Sequence, residues 1–395
     1  MMMKWLRSRI KEMRINFKNM DKILLLIIVI FAAFGLVVVF SSSNIVAVLE
    51  YHYASTYFFQ KQLLFTIIGF VAMMLFAGGI VNQKHYFGWS VFIMFILTMI
   101  FIGLRGMSAI NDSQSWATVG SHSFQPSEFA KPVIILFLAG FYSRFRRYDK
   151  WWKIFIPVGV VAFLCIFIAL EPDLGTAGVI TFITMLIFFT LPIKDKIMNI
   201  MRYGVIIVGV IGIIAIYIMQ PQFIAKENTS RQESRFAFTN PCSRPLVKTG
   251  YQVCNAYIAV NNGGVFGRGF GQSTQKFLYL PEAYTDFVFP IVVEELGLLG
   301  ATAVLLGYLL LLFKILVIAR NATTLEDSII AFGTFSYLLV HIIINLCGVF
   351  ALIPMTGIPL PFLSYGGSFL LNLFILLGLT LRVSANNKRK QLKGV

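Results

Sequence analysis

Acidic, basic and glycine residues crowd into one stretch of this chain, Gly250 to Gly297, that is neither uniformly apolar nor a plain linker. It holds glycines at 264, 267, 269 and 271, together with Arg268, Lys276, Glu282, Asp286, Glu294 and Glu295. A positioned carboxylate can take a proton as a general base, and Arg or Lys near it can meet phosphate charge. Glu294 and Glu295 sit in a run, Phe287 to Phe313, that otherwise has the composition of a membrane helix. Ionisable groups at the mouth of such a helix are expensive, which makes function the default reading. The alternative is that the two acids pair with basic groups and pin the helix. The glycines do not make a nucleotide loop, because no βαβ unit flanks them. A tight, irregular loop against a membrane is expected instead.

The elements that must position these groups follow from composition. Hydrophobic residues make up 58% of the 395 and charged residues 13%, whereas a soluble domain is nearer half apolar and a quarter charged. Ten apolar runs approach or reach a bilayer-spanning length: 23–40, 62–81, 86–104, 127–143, 154–170, 174–193, 203–219, 288–313, 328–350 and 368–383. The fourth is short and opens on Glu128 and Lys131. The first is too long for a signal-peptide core and no cleavage site follows, so it reads as an uncleaved helix. The expected fold is an all-α integral membrane protein of about ten transmembrane helices, with a large outer loop, 220–287, between helices 7 and 8. Residues 1–22 form a basic N-terminal segment, 23–383 the membrane domain and 384–395 a basic tail.

Ten helices put both termini on one side. With that side cytoplasmic, 23 of the 33 Lys and Arg fall inside and seven of the other ten fall in one outer loop. The positive-inside rule supports this orientation. The net charge of +16 therefore lies where it meets anionic headgroups, and nucleic acid is not a partner. The four Cys and four His show no zinc or redox spacing. Cys242 and Cys254 share the outer loop, where a disulfide can persist, though geometry decides whether they pair. Cys165 and Cys347 read as packing residues.

The outer face collects the unusual sequence: NDSQSWATVGSHSFQPSEFAK around Trp116, EPDLGT with Glu171 and Asp173, the large loop, and PMTGIPLPFLSYGGS. Irregular backbone at membrane depth is tolerated only where protein buries it or it lines a wet cavity, so an outward-facing cavity is expected. These four segments, in this order, resemble the signatures of the SEDS family of polytopic peptidoglycan glycosyltransferases. FQPSEFAK at 124–131 is similar to FQPSELAK, EPDLGT at 171–176 to [EQ]PDLGT, and 354–368 to PxTGxPLPFxSYGGS. The wording GFGQSTQKFLYLPEAYTDF resembles the division branch of the family more than the elongation branch. Three positions depart from the pattern: Ser115 replaces a usual Arg, Tyr284 a usual His, and Phe369 a usual Ser. Without that Arg, Lys131, Arg268 or Lys276 would have to meet a pyrophosphate.

The resemblance implies polymerisation of lipid II with loss of undecaprenyl pyrophosphate, a class B penicillin-binding protein and other divisome membrane proteins as partners, and a bacterial cytoplasmic membrane location at the septum. It leaves room for a divalent cation, Mg or Mn, at the pyrophosphate. It also places the family's essential aspartate at Asp286, as base for the acceptor hydroxyl; the structural alternative is an N-cap. Glu282 positions acceptor or metal, or is a solvated loop acid. Trp116 offers a face to a sugar or anchors in the interface. Glu128 and Lys131 share a helix face and bind substrate or pair with each other. Glu171 and Asp173 bind or cap. Ser364 and Tyr365 shape the cavity. The rival readings are a transporter of the lipid-linked precursor, an elongation polymerase and an inactive scaffold. Transporters show internal repeats and acids at the midplane, whereas here no repeat is evident and the acids sit at outer helix ends.

Overall fold

A computed structural model of the chain describes residues 2–104, 117–119, 122–144, 151–170, 173–192, 200, 203–204, 240–243 and 248–392. Its apolar runs fold as helices because hydrocarbon offers backbone N–H and C=O groups no partners, and a helix satisfies them within one segment. The helices are α1 (Met2–Asn19), α2 (Lys22–Leu49), α3 (Tyr57–Gly78), α4 (Tyr86–Leu104), α5 (Pro126–Arg144), α6 (Ile156–Leu170) and α7 (Leu174–Thr190). After them come α8 (Lys248–Gly263), α9 (Val288–Arg320), α10 (Leu325–Val349) and α11 (Gly367–Gln391). Between α4 and α5 a short antiparallel hairpin pairs β1 (Ala117–Val119) with β2 (His122–Phe124), Thr118 opposite Ser123.

Nine of the ten expected runs coincide with helices, and the seventh, 203–219, lies outside the described residues but for 203–204. Among the described residues seven helices are long and apolar enough to cross a membrane, and α7 is a shorter apolar one. Two helices were not expected. The basic segment is itself helical (α1), laying Met13 and Phe17 against Gly78 of α3. Within the expected loop, α8 buries Val253 and Ala256 against Leu280, Ala283, Phe287 and Ile291. Both helices mix polar with apolar residues, so hydropathy alone passes over them.

Caps mark several boundaries. Asp21 accepts the Leu24 N–H at 2.9 Å to start α2, and Thr324 accepts that of Asp327 at 3.1 Å to start α10. The chain ends meet at one end of the bundle: the Asp21 N–H donates to Ser384 Oγ at 3.0 Å, and Arg382 pairs with Glu12 at 3.6 Å. In the middle, α10 and α11 carry the deepest core, whereas α2, α3, α4 and α9 turn Leu26, Ile67, Phe92 and Leu309 outward, the flank that lipid covers. α3 and α11 lie backbone to backbone, since a Cβ on Gly378 would strike the Met73 carbonyl. Small residues permit this approach between membrane helices, where packing rather than water exclusion holds them together.

Candidate active site at the distal end of the bundle

At the end opposite the termini, the turn 281–287 leads into α9. Glu282 has φ 55°, and its carbonyl accepts the N–H groups of Thr285 at 3.2 Å and Phe287 at 3.1 Å. That bend places Asp286, half-buried, in the wall of a cleft with Phe287, Asn345, Gly348, Val349, Met355, Thr356, Gly357 and Ile358. A Cβ built on Gly357 would lie 3.8 Å from Asp286 Oδ2, so the two cleft walls are that close. Asn345 of α10 joins them: its Nδ2 donates to the Asp286 carbonyl at 2.7 Å and to the Ile358 carbonyl at 2.8 Å. Thr285 Oγ1 lies 2.8 Å from Glu282 Oε2 and 3.1 Å from Asp286 Oδ1. One hydroxyl thus stands between the two carboxylates. Asp286 is not the N-cap residue of α9; that position is Phe287, and no side chain caps it.

The neighbouring acids are tied into the structure. Glu294 is fully buried and accepts from Ser273 at 2.5 Å, Thr274 at 2.7 Å, Asn262 at 3.0 Å and the Gln275 N–H at 3.2 Å. Glu295 pairs with Lys276 at 3.1 Å and accepts from Ser41 of α2 at 2.6 Å. Both are pins for the loop on the helix. The same contact explains the glycines. At Gly297 (φ 70°) α9 breaks, and the loop 264–269 enters the gap. The Arg268 and Gly269 N–H groups donate to the carbonyls of Glu294 and Glu295, and the Leu298 and Leu299 N–H groups donate to Gly264 and Val265. The orphaned groups of the break are thereby satisfied. Gly267 and Gly297 touch backbone to backbone, leaving no room for a Cβ on either.

The other sequence-selected residues divide in the same way. Glu128 and Lys131 of α5 form a buried ion pair at 2.5 Å, and Lys131 Nζ also lies 3.4 Å from His341 Nε2 on α10. Asp173 caps α7 through the Thr176 N–H at 3.1 Å and accepts from Gln125 at 2.7 Å and Ser127 at 2.8 Å. The FQPSE and PDLGT segments are thus one clasp. Ser364 Oγ accepts the Leu360 N–H at 2.7 Å, shaping the last turn. Tyr365 packs with Phe58 and Tyr284, and the Tyr284 hydroxyl meets that of Tyr51 at 3.3 Å. Burial pushes the Tyr284 phenol well up and that of Tyr365 to about 12, so both serve as neutral groups. Lys276 is 2% exposed, whereas the Arg268 side chain is 40% exposed and bonds Thr274 at 3.3 Å. Trp116 and Glu171 lie outside the described residues.

Sequence reasoning passed over Asn345 and His341, although a polar side chain in an apolar span is itself a signal. It also passed over Ser41, Gln62 and Thr285. Gln62 of α3 holds the last turn from the other side, donating to the Ser364 carbonyl at 3.2 Å and accepting the Gly366 N–H at 3.3 Å.

A family model described as cell cycle protein, covering FtsW, RodA and SpoVE, matches residues 21–389. The chain belongs to this family. Stage V sporulation protein E of Bacillus subtilis is 38% identical over 342 residues, spanning 85% of this chain and 89% of that one. The probable peptidoglycan glycosyltransferase FtsW of the same organism is 36% identical over 360 residues, 86% of each. A solved chain from a peptidoglycan synthase complex that coordinates polymerization and crosslinking superposes with a TM-score of 0.71 at 22% identity, covering 93% of this chain and 98% of that one. That likeness shows a common membrane fold. The chain is a multi-pass membrane protein of the FtsW/RodA/SpoVE family, and among the described residues three of its motifs meet, Gln125 and Ser127 on Asp173 and Gly175 against Thr356.

Proposed function

We propose that this protein is a peptidoglycan glycosyltransferase that polymerises lipid II at the outer face of the cytoplasmic membrane, in septal wall synthesis, with Asp286 as the base. The observation that carries the reading is the position of Asp286 in the wall of the distal cleft, opposite Gly357 and one hydroxyl away from the Glu282 carboxylate. The acceptor sugar's hydroxyl oxygen bonds to C1 of the donor sugar as its proton passes to the Asp286 carboxylate. The C1–O bond to pyrophosphate breaks, and undecaprenyl pyrophosphate leaves. General-base work of this kind is worth roughly 10²–10⁴-fold. Among the described residues no three His, Cys, Asp or Glu converge. Glu282, one hydroxyl away from Asp286, would hold a Mg or Mn ion together with the substrate's own phosphate oxygens, and such an ion would offset charge on the leaving pyrophosphate. Arg268, whose side chain is 40% exposed beside Glu294, is the cation proposed to meet that group.

Sequence relatedness to proteins named for glycosyl transfer supports the chemistry. The solved complex of polymerization and crosslinking supports a class B penicillin-binding protein as partner, with other divisome membrane proteins around the pair. The test is glycan-chain formation from purified lipid II by the protein with its penicillin-binding partner, wild type beside Asp286→Asn, both shown to be folded. Wild type should form polymer, and Asp286→Asn should lose at least about a hundredfold in rate. Equal polymer from both removes the base. No polymer from either, with labelled lipid II crossing sealed vesicles, makes the protein a transporter.

A further inference from the structure

The turn that carries Asp286 holds a hydroxyl with more acceptors around it than it has protons. Thr285 Oγ1 lies 2.8 Å from Glu282 Oε2, 3.1 Å from Asp286 Oδ1 and 3.2 Å from the Glu282 carbonyl oxygen. A hydroxyl has one proton, so it donates to one of these three at a time. Their surroundings decide which. Glu282 is exposed, and water can meet its carboxylate. Its carbonyl already accepts the Thr285 and Phe287 N–H groups. Asp286 is half-buried in the wall of the cleft, where an entering sugar displaces water. A hydrogen bond gains strength where solvent is excluded, so the hydroxyl matters most at Asp286 Oδ1.

An Asp carboxylate turns easily about its last bond, because that torsion has broad wells. Thr285 is the stiffer partner: its branched side chain has a restricted χ1, and its N–H is tied to the Glu282 carbonyl at 3.2 Å. A fixed hydroxyl on Oδ1 therefore sets the rotation of the whole carboxylate. With Oδ1 engaged, Oδ2 is the oxygen directed at the opposite wall, 3.8 Å from where a Cβ on Gly357 would stand. We propose that Thr285 is a positioning residue for the base: it holds Asp286 Oδ1 and so presents Oδ2 to the acceptor hydroxyl. Thr285 is not among the residues that line the cleft, so it acts through Asp286 and not on the sugar. The inference rests on the reading of Asp286 as the base of a lipid II polymerase.

The test is steady-state polymerisation of lipid II by the full chain with its penicillin-binding partner, comparing wild type, Thr285→Val and Thr285→Ser. Valine keeps the shape and the backbone N–H and removes the hydroxyl, whereas serine keeps the hydroxyl. Thr285→Val should lower kcat about tenfold or more, as for a lost hydrogen bond to a charged group, with KM within about twofold of wild type. Thr285→Ser should stay within about threefold of wild type in kcat, because its hydroxyl still reaches Oδ1. The same substitution in a Glu282→Ala background separates the two carboxylates. Thr285→Val should cost the same factor there; if it costs nothing once the Glu282 carboxylate is gone, the hydroxyl serves Glu282 and the proposal falls. A raised KM with kcat unchanged places Thr285 on the substrate and overturns it too, as does a serine variant no better than the valine one. Should Thr285→Val fail to fold, as judged by thermal unfolding in detergent, Thr285→Ala takes its place with the same expectations. Full activity of Thr285→Val beside an inactive Asp286→Asn sinks this inference alone. Equal activity of Asp286→Asn and wild type sinks the base, and this inference with it.

Discussion

Single residues at the distal end acquire their roles from what they touch. Lys276 and Glu295 bring opposite charges to one buried point, and Ser41 adds a hydrogen bond from α2. Removing one member leaves the other as an uncompensated buried charge, which costs roughly 3–5 kcal/mol. Lys276→Met should therefore lower the thermal unfolding temperature in detergent sharply, and adding Glu295→Gln should recover much of the loss. If the double variant is no more stable than the single one, the pair is not what holds the loop. The sequence marked both residues as costly, yet Lys276 stood there as a phosphate partner. Its partner is 19 positions away, and spacing of that size says nothing about contact.

Elements explain the glycines and the cysteines. The loop 264–269 occupies the break in α9, and its contact with Gly297 admits no side chain. Gly297→Ala must adopt a left-handed backbone and displace the loop, a loss on the order of 3 kcal/mol or more. Gly88→Ala, on α4 with open space around it, should instead be neutral or stabilising by up to about 1 kcal/mol. Thermal unfolding of the two variants beside wild type checks this, and equal behaviour would dismiss the break as a structural joint. The Cys242–Cys254 disulfide ties the 241–243 turn to α8. Cys254→Ser should cost about 2–3 kcal/mol and abolish the sensitivity of unfolding to reductant. A wild type indifferent to reductant would show that the bond does not hold this region. Outer-loop placement made the pairing possible; only the approach of the two backbones made it real.

The whole molecule is polarised. Basic residues gather where the termini meet, including Arg14, Lys22, Lys314 and Lys388, while the cleft opens at the other end. With the basic end cytoplasmic, a cysteine introduced at Phe266, which is 82% exposed, should react with a membrane-impermeant maleimide in intact spheroplasts. One introduced at Lys390 should react only after permeabilisation, both in a background with Cys165 and Cys347 replaced by Ala. The reverse pattern would invert the orientation and remove the cleft from the outer face. That charge asymmetry was readable along the chain, because headgroup attraction acts on each loop separately.

Helical membrane class, most span positions and family membership were determined by the sequence itself. Hydrocarbon imposes a local rule on each twenty-residue run, and family wording survives as contiguous motifs. The tertiary structure alone decided which acids pin helices together and that Asp286 lines the cleft. Asp173 reaches Gln125 across 48 positions, and Asn345 reaches the Asp286 carbonyl across 59. Whether a buried polar group is a joint or a working part depends on the partner that satisfies it, and that partner arrives from a distant segment only when the helices pack.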